Sequence, residues 1–145
     1  MNPIDVNYGK LNCDMKTLAK NSEEFIMINQ YLENSKGQYS LKLLDCFKVS
    51  RKGEAEKYNP QKLNNKMLLW HGSRFSNFVG ILSQGLRIAP LEAPKTGYLY
   101  GKGIYFADMS GKSAPYTCYN LSDNVGLFLL CEVALGNPRK LHGTD

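Results

Sequence analysis

Two histidines, one tryptophan and four cysteines are the whole stock of the residues that most often build metal and redox centres in this chain. Cys13, Cys46, Cys118 and Cys131 never form a C-x-x-C pair, and His71 and His142 stand far apart, so a zinc framework is excluded. The cysteines sit in apolar company and read as reduced core thiols of an intracellular protein. There is no apolar run of about 18 residues, so no membrane span is expected. Met1-Asn2-Pro3-Ile4-Asp5 is neither basic nor apolar, which argues against a secretory signal. Gly101-Lys102-Gly103 lacks the third glycine of a dinucleotide fingerprint and precedes an expected strand rather than a helix, which excludes a Rossmann site. A phosphate-binding P-loop, a G-x-S-x-G elbow, internal repeats and low-complexity segments are also missing.

What is present is an ordinary globular balance: 43% hydrophobic and 21% charged residues in 145. The net charge is +5, but basic residues are scattered among acids, and Arg51-Lys52 and Arg139-Lys140 are the only adjacent basic pairs. That pattern describes a mildly basic solvated face, without the clustering a nucleic-acid surface needs.

Periodicity gives the elements. Residues 6–18 alternate in part, with Leu11, Cys13 and Met15 on one face, and predict a strand. Asn21 and Ser22 before Glu23-Glu24 signal a helix start, and Phe25, Ile28 and Leu32 follow at helical spacing to an end near residues 34–37. Residues 39–49 alternate again and predict a second strand, with 51–59 as a loop and 61–65 as a short helix. Met67-Leu68-Leu69-Trp70 suits a buried strand. Ser76 is the expected cap of a helix running to Gln84, closed by Gly85. Residues 88–100, with Pro90, Pro94 and Gly97, predict a long loop, and 103–107 a strand. Residues 112–119 suit a helix with Pro115 in its first turn. Residues 126–135 form the strongest apolar run and predict a central strand buried on both faces. The class is α+β, with short helices and a mixed, mostly antiparallel sheet, in one unit spanning 1–145.

Two clusters could carry chemistry. His71-Gly72-Ser73-Arg74 follows an apolar run, so it lies at a strand's end, where imidazole, hydroxyl and bare glycine backbone can meet a ligand. The ordinary alternative is a histidine satisfying a core hydrogen bond. The second cluster runs through 97–108 and on to Lys112-Ser113-Ala114-Pro115-Tyr116. Its glycines and tyrosines could form a flat pocket for a planar ring, or simply a tyrosine-rich turn.

Together, His71-Gly72-Ser73-Arg74, the stretch 80–90, the stretch 97–108 and Lys112-Ser113-Ala114 closely resemble the poly(ADP-ribose) polymerase catalytic domain, over residues 2–141 and most nearly its nuclear, DNA-damage-responsive branch. The resemblance implies an ADP-ribosyltransferase fold and NAD⁺ as substrate, with no metal. It implies that the nicotinamide carboxamide bonds to the backbone of Gly72 and the hydroxyl of Ser113. The ring stacks on Tyr116, Tyr105 packs beside it, and His71 holds the adenosine-side ribose. Ser73, Asn77 and Arg87 line the adenosine end, residues 88–101 cover the dinucleotide, and Lys112 lies near the catalytic centre. His71, Tyr105 and Lys112 are thus the catalytic candidates.

Cleaving the nicotinamide–ribose bond leaves a cationic sugar, so the enzyme must hold both ends of NAD⁺ and set negative charge between them. The resemblance assigns that role to a glutamate on a later strand, and this chain offers no stand-in. Glu132 lies inside the apolar run, Glu92 belongs to the covering loop, and Asp145 ends the chain. The expectation is a fold incomplete at the C-terminus, with edges left unpaired. The implied function is transfer of ADP-ribose to protein acceptors, as single units or polymer, in the nucleus. DNA would be bound only through domains outside the chain, and no membrane is involved. The alternative is a truncated, inactive NAD⁺-binding fragment. A further departure is Pro115, which removes an amide donor beside Tyr116.

Overall fold

Helix propensity and capping decide the first element of the computed structural model, which describes residues 1–59, 61–92 and 98–143. The Asn2 side chain accepts the Ile4 N–H, Pro3 occupies the first turn and Asp5 faces the helix N-terminus, so Pro3–Lys10 is helix α1. The strand expected over 6–18 therefore begins only after Asn12, whose φ of 51° breaks the chain direction; strand β1 is Cys13–Thr17. On it Cys13 is buried and Met15 half-buried, as the alternation requires.

Helix α2, Glu23–Ser35, starts where the sequence indicates: Ser22 accepts the Phe25 N–H at 3.2 Å, and Glu23 and Glu24 fill the first turn. Phe25 and Leu32 are buried along one stripe. Strand β2 is only Phe47–Arg51, shorter than the alternation over 39–49 predicts. Its antiparallel partner β1 is five residues long, and the register from Cys13↔Arg51 to Thr17↔Phe47 ends where β1 ends. One more bond, from the Leu18 N–H to the Cys46 carbonyl, closes the ladder. Helix α3, Glu54–Lys57, interrupts the expected loop, and residues 61–65 form turns and bends instead of a helix.

Strand β3, Lys66–Ser73, and strand β4, Leu127–Ala134, make a second antiparallel ladder, with His71 opposite Leu129 and Gly72 opposite Phe128. Met67 and Leu68 are exposed, so only the Leu69-Trp70 half of the apolar run enters the core. Among the described residues β4 pairs with β3 alone, and its side chains are half-buried or, for Glu132, exposed. It is therefore an edge strand here, not the doubly buried central strand its composition predicts. Burial still pushes the Cys131 thiol up to about 11, so it stays neutral at ordinary pH.

Helix α4, Phe75–Gln84, begins two residues earlier than expected. Arg74 is its N-cap and makes no side-chain capping bond, while Ser76 lies inside the first turn. Gly85 closes it at φ 78°, a conformation that suits glycine, and the Arg51 guanidinium packs against this turn. Residues 93–97, including Pro94 and Gly97, and Asp145 lie outside the described residues. The strand expected over 103–107 reduces to one bridge, Ala107 with Trp70. The Tyr105 hydroxyl donates to the Gly101 carbonyl at 2.5 Å, which folds this stretch back on itself and takes it off the sheet edge.

Helix α5, Ser110–Ser113, continues into a 3₁₀ turn, Ala114–Thr117, with Pro115 in its opening positions, and a second turn covers Tyr119–Leu121. The architecture is α+β: short helices around two small antiparallel sheets. Trp70, 3% exposed, is the centre of packing, with its ring 5.0 Å from Tyr31 and 5.5 Å from Phe128. Its buried Nε1–H has no hydrogen-bond partner among the described residues. Among them, too, no helix is long and apolar enough to cross a membrane.

The cap assignment is testable by urea unfolding. Ser22→Ala should cost about 1 kcal/mol. Ser76→Ala, which removes no capping bond, should stay within about 0.5 kcal/mol of the parent.

Candidate functional site

The last three residues of β3 and the short helix α5 meet at one place. Gly72 lies so close to Ser113 that a methyl group on it would collide with the Ser113 carbonyl oxygen, and would come within 3.2 Å of Thr117 Cγ2. Only glycine permits this approach, for want of a Cβ rather than for any special φ. Ser113 is 5% exposed, and its hydroxyl donates to the Trp70 carbonyl at 3.3 Å, long for an O–H···O bond. A hydroxyl held so loosely can exchange that partner for a better acceptor.

His71 precedes this junction. Its Nδ1 is 2.7 Å from the Tyr105 carbonyl oxygen, so Nδ1 carries the proton and Nε2 is left as an acceptor in the neutral ring. The Phe106 ring lies 5.7 Å from the imidazole and helps to hold its plane. Tyr105 is itself tied down. Its hydroxyl donates to the Gly101 carbonyl and accepts the Tyr100 N–H at 3.2 Å, and its ring lies 6.0 Å from that of Tyr98. Beside it, Leu91, Tyr98, Gly101 and Lys102 line a hollow of about 270 Å³. The Lys102 ammonium donates to the Pro90 carbonyl and links the two ends of the loop.

On the other side of His71, the Asn77 side-chain amide donates to the Ser73 hydroxyl at 3.0 Å, joining the first turn of α4 to the end of β3. The structure thus brings His71, Gly72, Ser73, Asn77, Tyr105 and Ser113 into one contiguous group. Arg87 is exposed beyond the end of α4, and Lys112 is exposed on α5, with no bond between either and that group among the described residues. Tyr116 is 67% exposed, in the 3₁₀ turn that follows Ser113. Pro115 fits there, because its missing N–H falls where a helical turn has no acceptor to offer.

A larger hollow of about 340 Å³, lined by Tyr8, Gly9, Asn12, Cys13, Asp14, Ser50 and Lys52, lies elsewhere, between α1 and the β1–β2 ladder. It holds none of the candidate catalytic or NAD⁺-binding residues. The smaller hollow adjoins Tyr105, whose hydroxyl bonds to Gly101 and whose carbonyl holds His71. No group of three His, Cys, Asp or Glu side chains among the described residues is placed to hold a metal.

Sequence reasoning missed the residues behind this group. Ser35 and Ser110 bond to each other beneath α5, and Tyr31 lies against Trp70. A serine pair separated by 75 residues leaves no local signal. The tightness of the central junction gives a direct prediction: Gly72→Ala should destabilise the chain by about 1–3 kcal/mol, read as a lowered urea midpoint. The same glycine-to-alanine change at the open Gly80, where a methyl group meets nothing within 4 Å, should not do so.

Residues 22–145 match the family model of the poly(ADP-ribose) polymerase catalytic domain. The chain is 56% identical over 141 residues to a poly [ADP-ribose] polymerase of Drosophila melanogaster, covering 94% of this chain and 14% of that protein. It is 56% identical over 144 residues to poly [ADP-ribose] polymerase 1 of Gallus gallus, covering 96% and 14%. To poly [ADP-ribose] polymerase 2 of Zea mays it is 50% identical over 148 residues, covering 99% and 23%. The chain therefore spans about a seventh of the length of the fly and chicken relatives. With its matched region taking in every residue of the junction just described, the chain belongs to the poly(ADP-ribose) polymerase catalytic domain family.

Proposed function

We propose that residues 1–145 act as one unit that forms the NAD⁺-holding part of an ADP-ribosyltransferase. The observation that carries this is the packing of Gly72 directly on Ser113. It puts a bare backbone and a weakly held hydroxyl side by side, the pairing a primary carboxamide needs: an acceptor for its NH₂ and a donor for its carbonyl. Tyr116, exposed beside them, supplies a face on which the nicotinamide ring stacks. His71, oriented through Nδ1 by the Tyr105 carbonyl, presents its other nitrogen to a ribose hydroxyl. Ser73, Asn77 and Arg87 serve the adenosine end, and the exposed Lys112 ammonium lies on the side of α5 open to solvent.

Held at both ends, the dinucleotide has its nicotinamide–ribose bond between His71 and Ser113. Heterolysis gives neutral nicotinamide and a cationic ribose, which a protein acceptor then attacks. That step needs a carboxylate beside the ribose. Among the described residues none is hydrogen-bonded to His71, Ser73, Tyr105 or Ser113, and Glu132 instead accepts a bond from the Tyr58 hydroxyl at 3.1 Å. The second reading, for the isolated 145 residues, is that they bind NAD⁺ and do not cleave it. In a longer protein with the carboxylate in place, the same site transfers ADP-ribose to proteins, in the nucleus and in response to DNA bound by other domains.

Calorimetric titration with nicotinamide, together with release of labelled nicotinamide from NAD⁺, tests both statements. The expected result is saturable binding, lost about tenfold in Tyr116→Ala, with no release above the uncatalysed rate. Absence of binding by the folded chain contradicts the holding role, and turnover contradicts the inactivity of the isolated chain.

A further inference from the structure

We infer that the C-terminal half of α2 sets the spacing of the nicotinamide end of this site, through Tyr31 on one wall and the Ser35–Ser110 hydroxyl pair on the other. The inference rests on the transferase reading and adds positioning residues to it. Neither Tyr31 nor Ser35 nor Ser110 touches the ligand in that reading.

The two walls are the end of β3, which carries Gly72, and α5, which carries Ser113. Helix α2 grips both. Toward β3, the Tyr31 ring lies 5.0 Å from the Trp70 ring, tilted by 32°, and its hydroxyl donates to the Leu68 carbonyl at 2.9 Å. Toward α5, one helical turn further on, Ser35 and Ser110 are 8% and 0% exposed. The Ser110 N–H donates to Ser35 Oγ at 3.1 Å, and the Ser35 hydroxyl donates to the Tyr31 carbonyl at 2.7 Å. The Ser110 hydroxyl donates to the Leu32 carbonyl at 2.9 Å. In that arrangement each hydroxyl proton has one acceptor, and the 3.0 Å approach of the two oxygens needs no third proton. Gly111 follows, seated so tightly on Lys36 that a methyl group there would strike the Lys36 carbonyl.

The bonds of the serine pair are polar, directional and buried, which makes them a locating device more than a source of bulk stability. Apolar packing tolerates small slides; a buried hydrogen bond does not, because a slide leaves a donor or acceptor without a partner. Ser110 and Ser113 are three residues apart on the single turn of α5, so a shift at one is carried to the other. The adenosine-side group Ser73–Asn77 is held by β3 and α4 and, among the described residues, shows no bond to α2. The consequence is selective: disturbing the serine pair should affect the nicotinamide end and spare the adenosine end.

The test uses the 145-residue chain, titrated separately with nicotinamide and with ADP-ribose. In Ser110→Ala the nicotinamide dissociation constant should rise about tenfold, while that for ADP-ribose stays within about twofold. Ser35→Ala should behave alike, and the double variant should lose no more than either single one, because all three break one network. Tyr31→Phe keeps the ring and removes only the bond to the Leu68 carbonyl. Because β3 also carries His71 and Ser73, it should weaken both ligands, nicotinamide by the larger factor, and it carries the test if Ser110→Ala fails to fold. Unchanged nicotinamide affinity in these folded variants would overturn the inference, as would equal losses for both ligands, which mark general destabilisation. A parent chain that is folded and binds neither ligand overturns the transferase reading and this inference with it.

Discussion

Trp70 is the residue on which the rest of this structure depends. Its ring lies between Tyr31 of α2 and Phe128 of β4, and its main chain bonds to Ala107 in both directions. Its carbonyl also accepts the Ser113 hydroxyl. One residue thus holds a helix, a strand, the end of α5 and the loop that leads into α5. Burying an aromatic side chain of this size stabilises the fold by roughly 2–3 kcal/mol, offset by the cost of its unpartnered indole N–H. The next two residues of β3, His71 and Gly72, inherit their position from it. The site is built on the end of a strand whose preceding residue is held in the core through both its ring and its main chain.

That arrangement explains the division of labour in the site. Groups that must not move, the Gly72 backbone and Ser113, are set by packing and by the absence of a side chain. His71 is aimed by a single carbonyl, that of Tyr105, whose own ring and hydroxyl are held by Tyr98, Tyr100 and Gly101. Tyr116 and Lys112 stand in solvent, where a ligand can reach them. Rigid polar groups near the core and exposed groups outside suit the capture of a dinucleotide whose nicotinamide end is small and planar.

Much of this was legible in the sequence, and the failures have common causes. The α2 cap at Ser22, the turn at Gly85 and the placement of Pro115 follow from local backbone chemistry, which a sequence carries in full. The strands were read less well, because a strand's length depends on its partner. Residues 39–46 alternate, yet β1 offers only five residues to pair with, so β2 stops at five. The apolar run 126–135 looks central, yet β4 has one neighbour among the described residues. Residues 6–10 had the alternation of a strand and lost to an Asn2 cap followed by Pro3. The site cluster itself was visible as motifs. The serine pair that supports it was not, since its members are 75 residues apart and ordinary in their local context.

The central claim is that Gly72 and Ser113 together receive the nicotinamide carboxamide. Amide chemical-shift mapping of the ¹⁵N-labelled chain during a nicotinamide titration tests it most directly. The account predicts that the Gly72 and Ser113 amides shift together and saturate at one concentration, with those of Tyr105 and Tyr116 following. Shifts confined to Tyr8, Cys13 and Lys52, around the larger hollow beside α1, would contradict it, as would no shift at Gly72 and Ser113 in the folded chain.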